Sequence, residues 1–207
     1  TPRLSSAASD VYKRQQQFGA ISGAQMVEFE GESRTMPWMG ALQEDTSRDR
    51  REAAWRASWG RRAEDQESLD DLYDAMISNR TQIGVNAGYK DYVGYAFASK
   101  QRFDYTPEDC QEFHQAAEDI FVPLLRKIHE NRRQQLGLDT LRPWDLAVDS
   151  SGQAPLRPFR TEAELVQGCG KMFTALDPEL GELFARLQDG KSLDLESRPG
   201  KSPGGYQ

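Results

Sequence analysis

Apolar residues along this chain recur mainly at the spacing of an α-helix. The clearest stripe is Leu69, Leu72, Tyr73, Met76, Arg80, Ile83, Gly84 and Ala87, in which nearly every step fits one helix face. Gly88 follows as a C-terminal stop, since glycine readily ends a helix. The segment 47–87 therefore predicts one long helix or two, with a break between Gly60 and Glu67, and Thr46 is the expected N-cap.

A second helix is predicted after Thr106. Thr106-Pro107-Glu108-Asp109 supplies a cap hydroxyl, a proline at the first helical position and acids in the first turn. The residues predicted to be buried on one face are Cys110, Phe113, Ala117, Ile120, Phe121, Leu124, Leu125 and Ile128. Pro123 lies inside this helix and is expected to kink it, because its nitrogen cannot donate to the carbonyl of Asp119.

Two shorter helices are predicted towards the end of the chain. Thr161-Glu162-Ala163-Glu164 has the pattern of a capping box. Its helix carries the apolar residues Leu165, Val166, Cys169, Met172, Phe173 and Leu176. Asp177-Pro178-Glu179 then starts a shorter helix that carries Leu180, Leu183, Phe184 and Leu187.

Strand periodicity occurs near the N-terminus. Val27 and Phe29 alternate with Met26 and Glu28, and Glu30-Gly31-Glu32 offers a turn, which predicts a β-hairpin over about 24–36. The fold class is therefore mostly α, a helical layer with one small N-terminal hairpin.

The chain divides into two parts. Residues 1–15 show no period and no caps, and they resemble translated sequencing-adapter sequence, so we expect a non-native tail. Residues 16–207 form one helical region, with helices over about 46–148 and 161–190 and a Gly/Pro-rich loop over 191–207.

Composition narrows the possible partners. The net charge is −7, which disfavours a general polyanion binder. The basic run Arg48, Arg50, Arg51, Arg56, Arg61 and Arg62 is interleaved with acids, so we predict salt bridges rather than a nucleic-acid site. The sequence contains neither an apolar run long enough to span a membrane nor a secretory h-region, and its two cysteines suit reduced thiols, so the expected location is cytoplasmic.

Metal-ligating residues are scarce, because the chain has only two histidines. His129-Glu130 begins an HExxH pattern, but Arg133 occupies the second ligand position, where a cation would repel zinc. His114 and Glu118 lie four residues apart and are at most part of a site. We therefore predict neither a metal site nor a catalytic residue in this chain.

Several short motifs follow one another in an order that resembles the oligoendopeptidase F family, the thimet-oligopeptidase-like zinc peptidases. They are Gly19-Ala20-Ile21-Ser22-Gly23, Val27-Glu28-Phe29-Glu30, Ala54-Trp55-Arg56-Ala57, Gly88-Tyr89-Lys90-Asp91-Tyr92, Asp104 to Asp109, Val122-Pro123-Leu124, Leu136-Gly137-Leu138-Asp139 and Asp194 to Tyr206. The resemblance covers Phe18 to Gln207. It departs from the family pattern at the HExxH motif and the downstream glutamate, neither of which is present.

The resemblance implies a helical ellipsoid with a deep channel that admits short peptides and has zinc at its floor. The missing HExxH helix would hold the zinc of the full-length parent, and its glutamate would activate the water that attacks the peptide carbonyl. This chain is then an inactive fragment of the channel wall that binds no metal itself. Gly204, Gly205 and Tyr206 are implied substrate contacts, although a plain loop before a core strand explains them about equally well.

A non-enzymatic helical module that binds a protein or peptide is the alternative function. If the chain is part of a larger fold, we expect apolar helix faces that it leaves exposed.

Overall fold

The structure is a computed structural model that describes the backbone of residues 2–204 and the side chains of residues 10–204. The helices are α1 (Pro2–Ala24), α2 (Met36–Ala41), α3 (Arg48–Glu64), α4 (Gln66–Asn86), α5 (Tyr92–Ser99), α6 (Pro107–Gln135), α7 (Glu162–Leu176) and α8 (Pro178–Asp189). The strands are β1 (Met26–Phe29) and β2 (Glu32–Thr35), and two 3₁₀ turns span Leu42–Glu44 and Pro143–Asp145. The predicted fold class, mostly helical with one hairpin, is confirmed.

The hairpin anchors a small apolar core. β1 and β2 pair antiparallel, with Met26 opposite Thr35. Thr35 then caps α2 by accepting from the backbone N–H of Trp38. The buried core residues are Val27, Met36, Met39, Leu42 and Ala54, so β1, α2 and α3 share one interior.

The predicted break in the long helical segment occurs at Asp65, between α3 and α4. Its carboxylate accepts from Arg61 at 2.8 Å and from the amide of the buried Gln25 at 2.9 Å, which ties this break to the start of the hairpin. The predicted cap was wrong by one residue: the hydroxyl of Ser47, not of Thr46, accepts from the backbone of the first turn of α3.

Helix α4 packs between α1 and α5. It ends as predicted before Gly88, whose φ of +87° is the left-handed conformation that glycine adopts without strain. The sequence predicted no element over residues 1–15, whereas the structure places 2–24 in α1. Val11 and Ile21 of α1 are half-buried, and the helix packs against α4. A non-native origin of residues 1–15 stays a prediction.

Helix α6 is 29 residues long and begins as predicted. Thr106 accepts from the backbone N–H of Asp109, and the carboxylate of Asp109 accepts from the backbone N–H of Thr106, which completes a capping box. At the other end, Arg132 donates to the carbonyls of Leu146 and Val148. The predicted burial of the apolar face is wrong: Phe113, for example, is 70% exposed and Ile120 is 64% exposed.

Helices α7 and α8 form an antiparallel pair. The rings of Phe173 and Phe184 lie 5.1 Å apart between them. Thr161 caps α7 as predicted, but the carboxylate of Glu164 accepts from the backbone of Arg160 rather than from the cap residue. The apolar residues that this pair turns outward are exposed, because α7 and α8 pack mainly on each other.

A buried ion cluster fixes the second 3₁₀ turn to α3. Asp145 is fully buried and accepts from Arg48 at 2.9 and 3.0 Å and from Arg51 at 3.1 Å. Arg51 is only 3% exposed and also donates to the carbonyl of Trp144 at 2.8 Å. Burial alone would raise the pKa of Asp145, but the hydrogen bonds from Arg48, Arg51 and the backbone of Arg142 outweigh it and hold this pKa below 3.8.

Candidate functional site

The terminal segment, residues 194–204, lies against the end of α1 and the hairpin. The backbone N–H of Gly200 donates to the carbonyl of Gly23 at 2.9 Å. The hydroxyls of Ser197 and Thr35 are 2.9 Å apart and share a hydrogen bond. Residues far apart in sequence thus hold the terminal segment in one place.

The close approach between α1 and the terminal segment requires a glycine. Gly23 is buried, and a Cβ placed on it would lie 2.8 Å from the carbonyl oxygen of Gly200. Any larger residue would push the backbone of the segment away, because the clashing atoms are main chain and cannot rotate aside.

Charges fold the terminal segment on itself. The ammonium of Lys201 donates to the carbonyls of Asp194 at 2.6 Å and Glu196 at 2.9 Å. The carboxylate of Asp194 accepts from Arg198 at 2.9 Å and from Lys201 at 3.2 Å. Hydrogen bonds from these two cations hold the pKa of Asp194 well below its usual range, so the cluster stays ionised at neutral pH.

A small cavity of about 180 Å³ separates the terminal segment from α2. Its walls are Pro37, Leu195, Glu196, Ser197, Lys201, Ser202, Pro203 and Gly204. Gly204 therefore lines a recess with serine hydroxyls and main-chain groups, which can form hydrogen bonds with a peptide main chain. Gly205 and Tyr206 lie outside the described residues, so substrate contact by all three residues stays a prediction.

The candidate metal ligands do not form a zinc site. His114 and Glu118 are exposed on α6. Arg133, at the second ligand position after His129, donates to both carboxylate oxygens of Glu130 at 2.7 and 2.9 Å. Hydrogen bonds from Arg133 and Gln134 lower the pKa of Glu130 to about 2. In the part of the chain that the structure describes, no three His, Cys, Asp or Glu residues are placed to share an ion.

The basic run on α3 forms the predicted salt bridges. Arg50 binds Glu30 and Asp45 at 2.7 Å each, and these bonds raise the pKa of its guanidinium. Arg48 and Arg51 bind Asp145, Arg56 binds Glu52, and Arg61 binds Asp65. The guanidinium of Arg62 lies over the ring of Trp59 at 5.1 Å.

The geometry of these residues does not identify the protein family, but comparison with known proteins does. The family model of peptidase family M3 matches residues 41–176. The chain belongs to this family. The predicted resemblance to oligoendopeptidase F is thereby confirmed at the family level. The helices that the sequence of this M3 chain predicted are present in its structure.

Solved structures share the whole fold of this M3 chain. A protein from Bacillus anthracis described as an oligoendopeptidase F is 26% identical, with a TM-score of 0.88 over 100% of this chain and 38% of its own. PZ peptidase A, solved with an inhibitor, is 28% identical, with a TM-score of 0.90 over 100% of this chain and 36% of its own. No curated protein sequence matches the chain.

The M3 chain spans little more than a third of the length of these solved peptidases. Among the helices that the structure describes, none combines the length and apolar character needed to cross a bilayer.

Sequence reasoning missed the residues that position the terminal segment. Gly23 and Lys201 occur within motifs that resemble the family, but nothing in the sequence indicates what these two residues contact. Their roles depend on contacts across about 180 residues of sequence, between Gly23 and Gly200, which a local pattern does not encode.

Proposed function

We propose that this chain is the non-catalytic part of a zinc-dependent M3 oligopeptidase that hydrolyses peptide bonds in short peptides. The observation that carries the proposal is the match of the whole chain to peptidase structures while it covers only 36–38% of their length. The sequence meanwhile has two histidines and no HExxH motif.

Zinc is the cofactor proposed for the parent enzyme, where it would polarise the peptide carbonyl and activate water. The residues of this chain do not fit the ion, since Arg133 is bound to Glu130 where a second histidine is needed. We therefore assign the chain no catalytic residue and no chemical step.

The role proposed for the chain is to shape a wall of the substrate channel. The terminal segment is held by Gly23 and by the Lys201 contacts, and it leads into Gly204, Gly205 and Tyr206. These three residues are the proposed contacts to the main chain of a peptide, because glycine lets a second backbone approach closely.

The remaining proposals concern the parent's substrates, its cellular location and its partners. We propose short peptides as the parent's substrates, a cytoplasmic location, and neither nucleic acid nor membrane as partner. The paired arginines of α3 support the absence of a nucleic-acid site, because their charge is already matched by nearby carboxylates.

Peptide hydrolysis by the purified 207-residue chain tests this function. An internally quenched fluorescent peptide is incubated with the chain, with and without added zinc, and an active M3 peptidase serves as the positive control. We expect no hydrolysis above the buffer rate under either condition. Zinc-dependent cleavage that follows the chain through purification would overturn the proposal.

The exposed faces of α6, α7 and α8 also suit the alternative, a helical module that binds another protein or peptide. The source gene distinguishes the two functions. A downstream HExxH motif in the same reading frame supports the peptidase, and a stop codon directly after Gln207 supports the module.

A further inference from the structure

We propose that Lys201 is a positioning residue for peptide binding. Its ammonium closes residues 194–201 into a fixed loop, and this loop holds the backbone at Gly204 in the place where a peptide main chain would meet it. The inference rests on the proposed function, which makes Gly204 a peptide contact. It adds the side chain on which the geometry of that contact depends.

The ammonium of Lys201 uses all three of its donors within the terminal segment. It donates to the carbonyl of Asp194 at 2.6 Å, to the carbonyl of Glu196 at 2.9 Å and to the carboxylate of Asp194 at 3.2 Å. A lysine ammonium has three N–H groups, so no donor is left over. Only 19% of the Lys201 side chain is exposed, although lysines are rarely buried unless they are paired. Lys201 therefore closes the loop from inside instead of extending into water.

The acceptors of Lys201 show why the loop needs a lysine. Two of them are main-chain carbonyls, five and seven residues before Lys201, so these bonds determine the path of the backbone itself. A compact ammonium can donate from one point to acceptors that converge on it. The donors of an arginine lie in a rigid planar fork, which does not fit such an arrangement. Charge alone is therefore not sufficient at this position.

The closed loop is attached to the fold at two points. The backbone N–H of Gly200 donates to the carbonyl of Gly23 at the end of α1, at 2.9 Å. The hydroxyls of Ser197 and Thr35 lie 2.9 Å apart, which ties the loop to the end of β2. Both attachments fall within residues 194–201. Lys201 thus determines the shape of the loop, and these two contacts determine its place.

The fixed loop leads directly into the proposed peptide contact. Gly204 follows Lys201 by three residues, a distance that an extended chain covers in at most about 11 Å. Both residues also line the recess of about 180 Å³ between the terminal segment and α2. A change in the path of the backbone at Lys201 therefore moves Gly204 and alters the recess together.

Four variants of the full 207-residue chain test this role. Lys201→Met keeps the methylene stem and removes the donors, whereas Lys201→Arg keeps the charge. Arg198→Met is the control within the loop, because Arg198 binds the carboxylate of Asp194 and its side chain is 52% exposed. Lys127→Met makes the same chemical change at an exposed position on α6.

Hydrogen exchange at the Gly200 amide measures closure of the loop. We expect exchange to accelerate at least about tenfold in Lys201→Met and Lys201→Arg, because bonds to a charged donor are lost. Arg198→Met and Lys127→Met should stay near the wild type, since exposed charges contribute little. The melting temperature should not change in any variant, because the core around Met39 is not touched. Unchanged exchange in Lys201→Met, or full protection in Lys201→Arg, would overturn the proposal.

A peptide titration separates positioning from a purely structural role. The blocked peptide acetyl-tetraalanine amide is added to isotope-labelled chain up to millimolar concentration, and the amide shift of Gly204 is followed by NMR. We expect a saturable shift in the wild type and in Lys127→Met, and at least about tenfold weaker binding in Lys201→Met. Equal affinity in Lys201→Met, or no saturable shift in the wild type, would overturn the proposal. Peptide hydrolysis by the chain alone would contradict the proposed function and not these results, so the two failures are distinguishable.

Discussion

At the scale of single residues, Asp145 does more for this fold than its position in a short turn suggests. Its carboxylate receives hydrogen bonds from Arg48 and Arg51 of α3 and from the backbone of Arg142. Replacing it would leave Arg51, which is almost fully buried, without its charge partner. The cost of an unpaired buried charge, not the attraction itself, makes such a position sensitive.

We therefore expect Asp145→Asn to lower the free energy of unfolding by about 3 kcal/mol at pH 7. Urea denaturation followed by circular dichroism measures the change. Glu130→Gln is the control, because its partner Arg133 is partly exposed and an exposed pair contributes little. A loss at position 145 no larger than that at position 130 would contradict the role of the cluster.

The difference in stability between the wild type and Asp145→Asn is also expected to depend on pH. The pKa of Asp145 in the folded chain lies below its ordinary value of 3.8. The ionised carboxylate therefore stabilises the fold fully above about pH 4, and this stabilisation is lost as pH falls through the lower folded pKa. The difference in unfolding free energy between the wild type and Asp145→Asn should shrink below pH 4. A difference that stays constant down to pH 2 would show that the charge is not responsible.

Gly23 is the second residue whose substitution has a specific expected effect on the structure. Gly23→Ala should displace the terminal segment and abolish the hydrogen bond from Gly200, because the new Cβ would lie 2.8 Å from a main-chain oxygen. Hydrogen exchange at the Gly200 amide measures this, and exchange should accelerate. Gly60→Ala is the control, since a Cβ there meets no atom within 4 Å. Unchanged protection of Gly200 in Gly23→Ala would show that the segment is not held by this contact.

At the scale of secondary-structure elements, the sequence predicted what local chemistry determines. The capping pattern at Thr106, the stop at Gly88 and the alternation around Val27 all correspond to observed elements. The sequence of residues 1–15 shows no comparable signal, and the structure shows that α1 packs against α4, a contact that a local pattern does not encode. The burial of α6 was predicted from its apolar stripe. Such a stripe indicates that a helix needs a partner surface, but it does not show that the described residues supply that surface.

The cap of α6 provides a test at this scale. Thr106→Ala removes the hydroxyl that accepts from Asp109 and should destabilise the first turn by about 1 kcal/mol. Hydrogen exchange in that turn should accelerate about fivefold. Thr46→Ala is a matched control, because the neighbouring Ser47 caps α3. Equal effects of the two substitutions in their own helices would contradict this assignment of caps.

At the scale of the whole molecule, the chain combines a small closed core with large open faces. The core around Val27, Met39 and Ala54 positions the hairpin, α2 and α3. The faces of α6, α7 and α8 remain exposed, which confirms the expectation of bare apolar surface. Membership in peptidase family M3 explains this combination, since the solved peptidases extend well beyond the region that the chain matches. The order of short motifs in a single sequence indicated the family. The sequence did not indicate which helix faces are packed together and which stay exposed.

Zinc binding by the purified chain tests the central claim most directly. Equilibrium dialysis at pH 7 against micromolar zinc, with metal measured by mass spectrometry, gives the number of ions held per chain. The account predicts less than one tenth of an equivalent, and the same value for His114→Ala and His129→Ala. One equivalent of zinc that either substitution removes would contradict it, because a metal centre would then lie within these 207 residues.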